Sequence, residues 1–181
     1  TSFSSTRWRM GCELGSISNL DVLTGPPAST PSVLVLGGST FMGRALVMRF
    51  LQRAQQSDAG LRICLVNRGR TYWGISDPSG GKAARLFANR DNSEKFSAAL
   101  DDLTSKLGAR WSLVADFSAY NTKDMQCAMD GLKGRFERYA YISSDSVYEV
   151  CDIAACRWLP PDGVEGDPII SEDYANRPSD P

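Results

Sequence analysis

Val33-Leu34-Val35-Leu36-Gly37-Gly38-Ser39-Thr40-Phe41-Met42-Gly43-Arg44-Ala45-Leu46-Val47-Met48-Arg49-Phe50-Leu51 is the stretch from which the fold of this 181-residue chain is read. Order begins at Ser32, and the four apolar residues after it form a continuous run, as in a strand buried on both faces of a parallel sheet. From Phe41 onward the apolar residues 42, 46, 47, 50 and 51 recur at helical spacing. Glycines 37 and 38 supply the turn between them. The stretch reads as strand, glycine turn, helix.

The same alternation continues downstream. Leu61-Arg62-Ile63-Cys64-Leu65-Val66 is the second strand, ending in Asn67-Arg68-Gly69. After a loop with Pro78 and Gly80-Gly81, residues 84–88 form a short third strand. A helix is predicted over 93–107, because Phe96, Leu100, Leu103 and Leu107 fall on one face, Asn92 or Ser93 caps its start and Gly108 stops it. Residues 111–115 make the fourth strand, closed by Asp116. A helix capped by Asn121 runs to about Lys133, buried through Met125, Ala128, Met129 and Leu132, and ends at Gly134. Residues 139–142 make the fifth strand. Strands alternating with helices at this spacing specify an α/β, doubly wound parallel sheet of order 3-2-1-4-5. Right-handed crossovers put its ligand crevice at the carboxyl ends of strands one and four.

Outside this core the pattern fades. Residues 1–31 are rich in Ser, Thr, Gly and Pro and are expected to form a flexible leader outside the sheet. Residues 151–181 contain Pro160-Pro161, Pro168, Pro178 and Pro181 and read as an extended loop. The ordered domain is therefore expected over 32–150. Hydrophobic residues make up 42%, enough for a packed core, and 20 Lys+Arg balance 21 Asp+Glu. That balance argues against a protein built around a nucleic-acid backbone. The chain has no histidine, which removes His-containing metal sites and Ser-His-Asp or Cys-His catalysis. No metal site is expected: Cys151 and Cys156 are two thiols in a loop, and two ligands do not make a zinc site. Cys64 and Cys127 lie in apolar runs and read as reduced core cysteines of an intracellular protein, cytoplasmic or, given Arg7 and Arg9, organelle-directed. No run approaches the ~20 apolar residues of a membrane span.

The glycine turn carries the chemistry. Placed between an apolar strand and an amphipathic helix, Gly37, Gly38, Ser39, Thr40, Phe41, Met42 and Gly43 form a candidate cradle for the pyrophosphate of a dinucleotide. Gly37 and Gly38 let backbone approach the phosphates, Gly43 lets the helix pack closely, and the helix N-terminus offers unpaired N–H groups. At the end of strand two, Asn67-Arg68 stands where an acid would bind both ribose hydroxyls of NAD(H). No carboxylate repels a 2′-phosphate there and Arg68 can pair with one, so NADP(H) is favoured over NAD(H).

These residues carry a family resemblance. The stretch 33–51, Val66-Asn67-Arg68-Gly69, Asn89-Arg90-Asp91-Asn92, Asp116-Phe117-Ser118-Ala119-Tyr120 and Tyr141-Ile142-Ser143-Ser144-Asp145-Ser146-Val147-Tyr148 resemble, in order and spacing, extended or atypical short-chain dehydrogenases/reductases of the NAD-dependent epimerase/dehydratase group. They look most like the branch that includes chloroplast stem-loop-binding proteins. The resemblance implies a Rossmann-like fold and an NAD(P)-dependent oxidoreductase or epimerase acting on a small carbonyl or hydroxyl substrate. It implies that Asp91 meets the adenine amino group, that Ser118 and Ala119 line the cofactor, and that Ser144 is the catalytic hydroxyl that bonds the substrate oxygen. Thr40 departs from the family, which has glycine there. No tyrosine is followed by lysine four residues on, so the Y-x-x-x-K acid–base pair is absent from these 181 residues. The chain thus resembles an amino-terminal portion whose carboxy-terminal substrate lobe is missing. The alternative is a non-catalytic dinucleotide sensor or an RNA-binding relative, for which Arg68-Gly69-Arg70 with Tyr72-Trp73, and the basic run 133–138, would supply the contacts.

Overall fold

The structure is a computed structural model and describes residues 15–27, 29–58, 60–69, 77 and 79–142. Its elements, in chain order, are β1 (Ile17–Ser18), α1 (Asp21–Thr24), β2 (Ser32–Leu36), α2 (Phe41–Gln56), β3 (Arg62–Asn67), β4 (Ala84–Phe87), α3 (Ser93–Leu107), β5 (Leu113–Asp116), α4 (Thr122–Leu132) and β6 (Tyr139–Tyr141). Period-two burial decides the sheet. In β2, Leu34 and Leu36 point into one core with Cys64, Val66 and Leu86, under Leu23 of α1, Phe96 and Leu100 of α3 and Leu132 of α4. Val33 and Val35 point the other way, with Ile63 and Leu65, onto Val47 and Leu51 of α2. A strand covered on both faces has no polar face, hence the continuous apolar run.

The strand order is β1-β4-β3-β2-β5-β6. All pairings from β4 to β6 are parallel, with β2 central between β3 and β5. In the expected numbering this is 3-2-1-4-5, so the doubly wound α/β sheet is as the sequence specifies. The added element is β1, which pairs antiparallel with β4 through Ile17↔Leu86 and Ser18↔Arg85. The expectation that everything up to residue 31 lies outside the sheet is therefore corrected. An uncovered β4 edge would present unpaired N–H and C=O groups. Instead Gly15 N–H donates to the Phe87 carbonyl at 2.7 Å and Phe87 N–H to the Ser16 carbonyl at 3.1 Å. The segment is also anchored from inside: Leu23 is fully buried, and Arg62, itself only 2% exposed, donates from Nε to the Thr30 carbonyl at 3.0 Å.

Caps and close approaches set the helices. The Asn92 side chain accepts from Lys95 N–H, and Gly108 ends α3 in the left-handed region. The Asn121 side chain accepts from Asp124 N–H, but the left-handed cap of α4 is Lys133, one residue before the expected glycine. α2 runs five residues past Leu51, to Gln56. Its buried face is Gly43, Val47 and Leu51, while Met42 is exposed. In α4 the buried face is Cys127, Ala128, Gly131 and Leu132. Met125 and Met129 are only half-buried. The shift comes from Gly131, where a Cβ would lie 2.7 Å from the Ser97 carbonyl oxygen of α3: the two helices meet at their smallest residue.

Lys133 and Arg135, of the basic run, both pair with Asp101 of α3. The hydrogen bond from Lys133, with the Arg135 contacts, holds the Asp101 carboxyl below its ordinary range. Burial pushes the Cys64 thiol up, and both Cys64 and Cys127 are reduced. Among the described residues, no helix is long and apolar enough to cross a membrane.

Candidate functional site

The loops that follow β2, β3, β4 and β5 converge at the carboxyl ends of these parallel strands and enclose a cleft of about 180 Å³. Gly37, Ser39 and Thr40 contribute from the first loop, Asn67 and Arg68 from the second. Asn89, Arg90 and Asp91 follow β4, and Phe117, Ser118 and Tyr120 follow β5. This is where a strand order that reverses direction leaves a crevice, because the crossovers on either side of β2 run to opposite faces.

The glycine turn has a different division of labour from the one expected. Gly37 lines the cleft at φ 84°, and a Cβ on it would sit 3.0 Å from the Ser118 Cβ. Gly38 does not line the cleft. It is buried where a Cβ would fall 2.9 Å from Val47 and 3.1 Å from Leu65, so its role here is to let α2 lie on the sheet. Thr40 is extended (φ −136°, ψ 160°), a conformation any residue adopts, so its Cβ fits the turn without strain. The positive φ falls on Phe41 instead, at 43°. Thr40 makes no side-chain capping bond and the first turn of α2 holds no acidic residue. The helix start thus brings neither a side-chain cap nor a carboxylate of its own to the first-turn N–H groups beside the cleft. Phe41 and Met42 are 76% and 64% exposed on the first turn and do not line the cleft.

Asn67 closes β3. Its Oδ1 accepts from Gly69 N–H at 3.0 Å, while its Nδ2 is buried with no partner among the described residues. A buried amide donor left unpaired costs about 1–3 kcal/mol, so it marks a place where an acceptor is wanted. Arg68 follows it, exposed at the rim. On the opposite wall Asp91 is tied to Asn89, whose Nδ2 donates to its carboxylate at 2.9 Å.

Sequence reasoning assigned no role to the residue that ties two walls of the cleft together. Asp116, fully buried at the end of β5, joins the walls. Its Oδ1 accepts from the backbone N–H groups of Ser118 and Ala119, at 2.9 and 3.2 Å. Its Oδ2 accepts from Arg90 Nη2 at 2.6 Å and from the Tyr139 hydroxyl at 2.5 Å. Arg90 also donates from Nη1 to the Asp124 carbonyl at 2.8 Å and lies over the Phe96 ring, 5.0 Å from its centroid. Burial, and then the hydrogen bond to Asp116, push the Tyr139 phenol well above its ordinary value, so it is a fixed donor and no proton acceptor at neutral pH. The signal for Asp116 was present as an ionisable residue ending an apolar strand. Nothing local says which cation it pairs with.

Of the candidate residues, Gly37, Ser39, Thr40, Asn67, Arg68, Asp91 and Ser118 come together around one cleft. Gly38, Gly43 and Ala119 lie buried behind it. Ser144 lies outside the described residues, as do Arg70, Tyr72 and Trp73.

No family model matches the chain, and no curated protein matches it. Among solved structures it is similar to a dTDP-glucose 4,6-dehydratase from Bacillus anthracis str. Ames, at 17% identity and a TM-score of 0.50, over 80% of this chain and 46% of that one. It is also similar to a short-chain dehydrogenase/reductase from Serratia marcescens BCRC 10948, at 15% identity and a TM-score of 0.47, over 68% of this chain and 62% of that one. The chain spans about half to three-fifths of the length of these proteins. At such identity the likeness to the dehydratase is one of fold: this chain has the Rossmann-like architecture.

Proposed function

We propose that this chain binds a nicotinamide dinucleotide in the cleft and is the cofactor-binding part of an oxidoreductase or epimerase of the short-chain dehydrogenase/reductase type. The observation that carries the reading is the cleft at the carboxyl ends of four parallel strands, lined by Gly37, Ser39 and Thr40 where the glycine turn enters α2. Gly37, Ser39 and Thr40 with that helix start would hold the pyrophosphate. The partnerless Asn67 Nδ2 fits a ligand that brings an acceptor to the end of β3. Asp91 and Ser118 would bound the adenosine side. The Bacillus anthracis dehydratase of similar fold was solved in complex with NAD. When bound, the nicotinamide ring gives or takes a hydride at its C4. Ser144 is the residue of this chain proposed to orient the substrate's carbonyl or hydroxyl.

Within this reading NADP(H) is preferred to NAD(H). Arg68 is exposed at the rim and Asn67 stands where an acid would repel a 2′-phosphate. Calorimetric titration of wild type and Arg68→Ala with NADPH and NADH tests it. A charge-assisted contact is worth about 1.5–3 kcal/mol, so Arg68→Ala is expected to lose that much for NADPH and little for NADH. Equal losses refute the preference. Absence of binding by either dinucleotide to the wild type refutes the site.

A further inference from the structure

The cleft is walled by loops from two different strand ends, and a single carboxylate holds both. The Oδ1 atom of Asp116 takes the N–H groups of Ser118 and Ala119, the wall after β5. The Oδ2 atom takes the guanidinium of Arg90, the wall after β4, while Tyr139 on β6 holds the same oxygen from behind. Arg90 extends the link to the first turn of α4 through the Asp124 carbonyl. Its side chain is 9% exposed and its Nε is buried with no partner among the described residues. A guanidinium fixed in one plane by two acceptors and the Phe96 ring loses far less freedom on meeting a ligand than a mobile arginine does.

We propose that Asp116 is the positioning residue of this cleft: it sets the distance between the two walls and the plane of Arg90 before any ligand enters. Asp116 touches no ligand and acts through Arg90 and through Ser118 and Ala119. The effect on affinity rests on the dinucleotide reading above, but the effect on the walls does not. The alternative is that Asp116 supports only the general stability of the sheet.

The experiment uses the whole chain with Asp116→Asn, Arg90→Ala and the double variant. In the ligand-free chain, amide hydrogen exchange is read at Ser118 and Ala119 against amides of β2. Asp116→Asn is expected to speed exchange at these two amides by about tenfold while β2 is unchanged, because the loss of a charge-assisted acceptor is local. NADPH titration is then expected to show about a tenfold weaker dissociation constant for Asp116→Asn, and a clearly smaller further loss when it is added to Arg90→Ala, since the part that acts through Arg90 is silent once Arg90 is gone and only the part that acts through Ser118 and Ala119 remains. Exchange that rises equally in β2, or losses that multiply in the double variant, would overturn the proposal. Should Asp116→Asn fail to fold, Tyr139→Phe removes one bond from the same carboxylate and is expected to speed the same two amides more modestly; unchanged amides there overturn it equally. A wild type that binds no NADPH sinks the dinucleotide reading alone, and the exchange arm still decides the role of Asp116.

Discussion

Gly43, in the first turn of α2, lies directly against the carbonyl of Gly37: a Cβ built on Gly43 falls 2.4 Å from that oxygen. Both groups are backbone, so neither can turn aside. The start of the helix and the floor of the glycine turn are locked to each other through the absence of one methyl group.

Gly43→Ala therefore has to push the helix start off the turn. Overpacking of a close contact costs about 1–3 kcal/mol, so its thermal midpoint is expected to fall clearly below that of wild type. Because Gly37 lines the cleft, dinucleotide affinity should fall as well. A variant with the wild-type midpoint would show that the helix start can yield at no cost.

Asn67→Asp keeps the acceptor for Gly69 N–H and replaces the partnerless amide with a carboxylate. Under the proposed reading it repels a 2′-phosphate and accepts from ribose hydroxyls. The preference is expected to move toward NADH by about tenfold, which is 1.4 kcal/mol. Paired titrations with NADPH and NADH measure it, and an unchanged ratio counts against placing the ribose at the end of β3.

Tyr139 gives a pH signature. Its folded-state pKa is raised above the ordinary 10.0, first by burial and then by the Asp116 carboxylate. Above pH 10 the unfolded chain loses this proton while the folded chain keeps it, so the stability it contributes is present below pH 10 and declines as pH rises from there. Urea midpoints of wild type measured from pH 8 to 11 should fall above pH 10 more steeply than those of Tyr139→Phe. Parallel curves would mean that the phenol titrates alike in both states.

Leu23→Ala tests the anchored amino-terminal segment. Leu23 is fully buried in the core formed with α3 and α4. Removing a buried leucine side chain typically costs about 2–5 kcal/mol. A loss of that size in denaturant unfolding is expected. A surface-like change under 0.5 kcal/mol would return the segment to the leader that its composition suggests.

The amino-acid sequence by itself determined the strands and helices that repeat a period over several turns or residues. β2 is legible because four apolar residues in a row, held between Pro31 and the Gly37-Gly38 turn, suit a short strand covered on both faces. α3 is legible because its apolar residues share one face between Asn92 and Gly108, and the sheet order follows from the hand of the crossovers. Seven of the fifteen described residues that line the cleft were legible too, since they follow the ends of those strands. Tertiary structure alone decided β1 and α1, which at two and four residues are too short to leave a period and exist because β4 has an edge to cover and Leu23 a core to enter. It alone decided that Gly38 serves packing under α2 while Gly37 faces the cleft. It alone joined Arg90, Asp116 and Tyr139, which lie 26 and 23 residues apart along the chain. A period is a local property of the chain, whereas the partner of a buried charge is whichever group the packed sheet brings within hydrogen-bond reach.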